Sequence, residues 1–114
     1  MMESTVFFET NRQEWENVED KIKRQIVGYD DTMMMVNVRF EKGGIGQLHH
    51  HVHTQSTFIS EGKFEVTIGV NKKILKKGDS FFVPSNTPHG VICIDEGMLV
   101  DVFTPMREDF VDKN

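Results

Sequence analysis

The chain has 114 residues, with 13 Lys and Arg against 18 Asp and Glu, a formal net charge of -5 and a single cysteine. That length makes one domain with one core; the acidic balance excludes nucleic acid as the main partner, because phosphate binding needs a basic face; and one thiol excludes an intrachain disulfide. The first residues lack the basic start and long apolar stretch of a secretion signal, and no apolar run approaches the ~20 residues that cross a bilayer, so a cytoplasmic protein without a membrane partner is expected.

In chain order, residues 11–23 carry Trp15, Val18 and Ile22 at helix-compatible spacing, and they are the one candidate for a helical turn. Residues 33–40 (Met33-Met34-Met35-Val36-Asn37-Val38-Arg39-Phe40) read as a strand, stopped by the glycines at 43, 44 and 46. A histidine-rich strand follows, then strands over 56–60 and 63–70, the second with clear alternation of Phe64, Val66 and Ile68. Asn71-Lys72-Lys73 reads as a hairpin connection. Further strands are expected over 74–77, 80–84, 90–95 and 98–103. Short strands separated by turn signals define an all-β sandwich or barrel. Residues 1–30 form an N-terminal strand or irregular segment suited to exchange between subunits, and 31–114 form the barrel, the two making one structural domain. Exposed sheet edges make a homodimer the expected assembly. Three consecutive methionines alternate faces on a strand, so Met33, Met34 and Met35 divide between core and interface, as do Phe81 and Phe82.

Four of the five histidines fall in His49-His50-His51-Val52-His53, and the fifth, His89, follows the bend at Pro84-Ser85-Asn86-Thr87-Pro88. Such density points to a metal site. The run is internal and broken by Val52, unlike an expression tag. On a strand His49 and His51 share a face while His50 points away. Two imidazoles one pleat apart chelate one ion, and further ligands come from elsewhere in the fold.

The spacing around these histidines resembles the cupins. Their first motif, G-x5-H-x-H-x3/4-E-x6-G, is matched by Gly43, His49, His51, Gln55 and Gly62; their second, G-x5-P-x-G-x2-H-x3-N, by Gly78, Pro84, Asn86, His89 and Cys93. Gln55 replaces the usual glutamate, Asn86 the glycine and Cys93 the asparagine. The resemblance implies a conserved β-barrel of jelly-roll type with one divalent transition metal inside, held by His49, His51, Gln55 and His89. Three imidazoles and a neutral amide leave the ion its full charge, and they suit Zn, Ni, Fe, Co or Mn alike. His53 is the competing ligand, otherwise a residue of the site rim. Cys93 has no base placed to activate it and reads as an inert buried thiol.

The segment Asp101-Val102-Phe103-Thr104-Pro105-Met106-Arg107-Glu108-Asp109-Phe110 resembles the ending of small single-domain cupins of bacterial pectin and alginate breakdown, as do Trp15-Glu16 and Arg24-Gln25-Ile26-Val27-Gly28. That resemblance implies conversion of 4,5-unsaturated uronates to linear 5-keto-4-deoxyuronates, with a sugar acid as the small-molecule substrate. Asp101 would exchange protons, Arg107 would pair with the uronate carboxylate and Phe103 would wall the sugar ring. Each also has a plainer reading: Asp101 as a surface strand residue, Phe103 as core, Arg107 as one half of a salt bridge with Glu108 or Asp109. Two other functions suit the same barrel, an Fe(II)-dependent dioxygenase and a non-catalytic sugar- or metal-binding module.

Overall fold

The computed structural model describes residues 2–111. Its strands follow the period-two burial that alternating apolar residues dictate. They are β1 (Glu16–Glu19), β2 (Ile22–Asp30), β3 (Met33–Phe40), β4 (Ile45–His49), β5 (Thr54–Ile68), β6 (Asn71–Lys76), β7 (Ser80–Val83) and β8 (His89–Thr104), with a short helix α1 (Glu108–Val111) after them. All pairings are antiparallel.

Two long strands, β5 and β8, pair with each other along most of their length and hold the barrel together. The C-terminal half of β8 pairs with β3, and the N-terminal half of β5 with β7; beyond the bend, β8 takes β4 as its other neighbour and β5 takes β6. The result is two sheets that share a bent central ribbon. Ile22, Phe40, Ile59, Phe64, Val83, Cys93 and Leu99 fill the space between them, and Met34, Val36, Phe103 and Met106 form a second cluster. Met33 and Met35 are exposed where Met34 is fully buried, and Phe82 is exposed where Phe81 is buried, as alternation requires.

Three local expectations give way to the tertiary structure. The expected helical turn within residues 11–23 is replaced by a 3-10 turn at Thr10–Arg12 followed by a β1–β2 hairpin that registers Glu19 with Ile22. Of the three spaced apolar residues only Ile22 is buried and Val18 is 43% exposed, so no core-facing helical stripe exists to stabilise a helix. The hairpin connection lies at Gly69-Val70 rather than 71–73, with Gly69 at φ +60 and Ile68 paired to Asn71. Finally, the segments 56–60 and 63–68 belong to one strand, as do 90–95 and 98–103. The glycines between them mark bulges: register shifts fall between Ile59 and Phe64, and a Cβ on Gly62 would lie 2.6 Å from the Asp95 carbonyl oxygen, while one on Gly97 would collide with that of Glu61.

Candidate functional site

The inner face of the ribbon carries the site in rows set by register. Met34, Phe103, Gln55 and Val83 stand opposite one another, the next row is Val36, Asp101, Thr57 and Phe81, and His49 pairs with His89 across β4 and β8. His51 lies past the end of β4, where the chain bends before β5. That bend is tied to the loop before β8: the Asn86 N–H donates to the His51 carbonyl at 2.7 Å, and the Ser85 hydroxyl to that of Val52 at 2.5 Å. Asn86 sits at φ +62, which explains why asparagine stands where the cupin motif has glycine, since it is the residue that best tolerates that conformation after glycine.

The side chains of His49, His51 and His89 converge, with one nitrogen of each lying within 4.8 Å of the others. Each has its Nδ1 beside a backbone carbonyl: His49 at Gln47 (2.7 Å), His51 at His53 (2.9 Å) and His89 at Thr87 (2.9 Å). Those carbonyls accept the Nδ1 protons and leave every Nε2 lone pair free, the tautomer that a metal ligand needs. His89 Nε2 is buried without a partner. Burial pushes the His89 pKa down to about 4 and lowers that of His51 as well, so both rings are neutral at pH 7. The Gln55 Oε1 faces His51 Nε2 at 3.0 Å. Two acceptors directed at one space are reconciled by a cation, so this donor set fits a metal ion.

Gln55 cannot turn its amide around at no penalty. Its Nε2 donates to the Thr57 hydroxyl at 2.9 Å and lies 3.4 Å from Asp101 Oδ1, while the Thr57 hydroxyl donates to the same Oδ1 at 2.6 Å. Burial of the Asp101 carboxyl raises its pKa to about 6, against the opposing effects of the Thr57 hydrogen bond and the charge of Arg107. Asp101, Phe103 and Arg107 line, together with His49, His89 and Gln55, one cavity of about 450 Å³. Arg107 stacks on Phe103 and Phe110, its guanidinium carbon 5.1 and 4.2 Å from the ring centres. Its Nε and Nη2 already donate to Asp109, at 3.1 and 2.9 Å, so the salt bridge and the place in the cavity coexist.

Two histidines stand apart. His50 is exposed, and the His53 ring is outside the converging set, its Nδ1 buried without a partner among the described residues; it meets His51 through its backbone carbonyl and by an edge-on ring contact, with ring centres 5.4 Å apart. Cys93 lies in the core, where burial raises its pKa and its thiol donates to the Asp95 carbonyl at 3.1 Å. Thr57 was absent from the sequence-based set, although its position two residues after Gln55 on a strand places it on the same face. Arg24 and Phe110 were absent from it too, and both line the cavity.

An antiparallel two-sheet barrel with three converging imidazoles defines a β-barrel of the jelly-roll class able to hold a metal ion. The chain belongs to the cupin family, whose cupin domain matches residues 36–103. It is 43% identical over 107 residues to the pectin degradation protein KdgF of Dickeya dadantii (strain 3937), which covers 92% of this chain and 97% of that protein. Among solved structures it is similar to an RmlC-like cupin from Shewanella frigidimarina NCIMB 400 (40% identity, 96% of this chain and 99% of the other, TM-score 0.94). It is likewise similar to KdgF from Halomonas sp. (34% identity, 94% and 99% coverage, TM-score 0.90). No helix among the described residues is long and apolar enough to cross a membrane.

Proposed function

We propose that this protein is a metal-dependent cytoplasmic enzyme of pectin or alginate breakdown that converts 4,5-unsaturated uronates to linear 5-keto-4-deoxyuronates. The observation that carries the proposal is one cavity in which His49 and His89, two of three converging imidazoles, share the lining with Gln55, the buried carboxyl of Asp101 and Arg107. The 43% identity to a pectin degradation protein supports it.

The net change is an isomerisation. The anomeric hydroxyl loses its proton, the bond from C1 to the ring oxygen breaks, and C4 gains a proton as C5 becomes the ketone. Asp101, with a pKa of about 6, is suited to take one proton and return another. Thr57 holds its carboxyl oxygen in place. Phe103 walls the ring, and Arg107, fixed by Asp109, presents positive charge and its remaining Nη1 to the sugar acid. His49, His51, His89 and Gln55 would hold the divalent ion, which supplies a Lewis acid for a substrate oxygen.

The test follows the ultraviolet band of the conjugated C4=C5 bond in an unsaturated monouronate. Metal-loaded protein should remove it faster than the spontaneous rate, and a His51→Ala/His89→Ala variant should not. Absorbance loss no faster than in buffer refutes the assignment, and oxygen uptake by the iron form would replace it with a dioxygenase. A homodimer is part of the proposal. Its support is the outer sheet face, where Met35, Phe58 and Phe82 are exposed, and sedimentation of the purified protein decides it.

A further inference from the structure

Strand β2 turns Ile22, Arg24 and Ile26 toward one face, since they pair with Phe40, Val38 and Val36 of β3. Ile22 and Phe40 belong to the core, so Arg24 is a charged residue at an inward position between two apolar ones. Its side chain is only 18% exposed, and it lines the same cavity as His89, Asp101 and Arg107. An arginine at such a position needs partners for five donors. Among the described residues it has one: Nε donates to Glu16 Oε1 at 2.6 Å. Its guanidinium carbon lies over the Phe110 ring, 3.7 Å from the ring centre, and that of Arg107 lies over the same ring at 4.2 Å. Among the described residues no group accepts a hydrogen bond from its Nη1 or Nη2.

The two arginines around Phe110 therefore differ in what they have left to offer. Arg107 gives its Nε–Nη2 edge to Asp109 and retains Nη1. Among the described residues Arg24 is held by a hydrogen bond at Nε alone, and its terminal edge, the pair of parallel N–H bonds that matches a carboxylate, has no acceptor there. We infer that Arg24 is a substrate-binding residue that receives the carboxylate of the sugar acid on its Nη1–Nη2 edge, with Glu16 and Phe110 fixing its orientation. Arg107 then acts on the sugar from its place over Phe103. The inference rests on the sugar-acid reading above and adds the anchor for the acid group.

Galacturonate and galactose differ only in a carboxylate against a hydroxymethyl group, so their affinities for metal-loaded protein isolate that anchor. Calorimetry on the unaltered protein should show galacturonate binding more tightly. Arg24→Gln removes the cation beside the Glu16 carboxylate, and that change in charge would by itself disfavour an anion, so Arg24→Gln/Glu16→Gln is the deciding variant. It should lose galacturonate affinity by roughly tenfold or more, leave galactose affinity unchanged, and raise KM for the unsaturated uronate more than it lowers kcat. Arg24→Lys should recover part of the loss. Metal content and circular dichroism equal to those of the parent establish that the variants fold. A double variant that binds galacturonate within twofold of the parent overturns the inference while leaving the function intact; a parent protein that does not distinguish the two sugars overturns the sugar-acid reading and the anchor with it.

Discussion

Replacing Asp101 by asparagine should stabilise the metal-free protein above pH 6 and change it little at pH 4. Burial raises the carboxyl from 3.8 to about 6, so the folded state holds the proton more tightly than the unfolded chain. Between those two values stability falls as pH rises, because the unfolded chain releases its proton first. Below both, the two states are equally protonated and no penalty exists; above both, the penalty is complete. At about 1.4 kcal/mol per unit, the shift corresponds to about 3 kcal/mol carried by the parent at pH 8. Asparagine is neutral throughout and its Oδ1 can still accept from Thr57 and Gln55. Thermal unfolding of chelator-treated parent and variant, followed by circular dichroism from pH 4 to 8, should show a difference in Tm that opens between pH 4 and 6 and reaches the order of 10 °C. With metal bound the gap should narrow, since a cation in the same cavity favours the carboxylate. Equal Tm values at pH 8, or a gain independent of pH, would refute the argument that this carboxyl is held against a desolvation penalty. The same variant should lose the uronate-opening activity, so stability and function pull on this residue in opposite directions.

Thr57→Val removes the hydroxyl that orients both the Gln55 amide and Asp101, and it should weaken Co(II) affinity several-fold and alter the visible spectrum of the cobalt form, with Thr57→Ser restoring both. His89→Ala, unlike His50→Ala, should abolish stoichiometric metal measured by elemental analysis, because His89 is in the converging set and His50 is exposed outside it. Gly97→Ala drives a Cβ into the Glu61 carbonyl, and denaturant titration should register a loss of at least ~2 kcal/mol. Asn86→Ala should cost about 1 kcal/mol at its left-handed φ, and Asn86→Gly close to nothing, in the same titration.

The barrel and its converging histidines were legible in the linear chain because much of the information is local. A period of two places Phe64 and Val66 on the buried face whatever lies across from them, and His49 with His51 at one-residue separation needs only the local backbone to converge. The bend at Val52 and His53 brings His51 to His89 by ties to Ser85 and Asn86 that no local pattern announces. Gly62 and Gly97 fall between the expected strands, yet they are close crossings within β5 and β8; only the partner strand distinguishes a turn from a bulge.

What the tertiary structure alone decided is which polar groups meet. Thr57 and Asp101 are 44 residues apart and share a hydrogen bond because β5 and β8 are in register, and that contact sets the direction of the Gln55 amide. Arg24 and Arg107 both reach the Phe110 ring from distant parts of the chain. Residue type and spacing determined that this chain would be a barrel with imidazoles inside it; burial and strand register, which depend on every neighbour at once, decided the protonation of Asp101 and which arginine keeps a free edge.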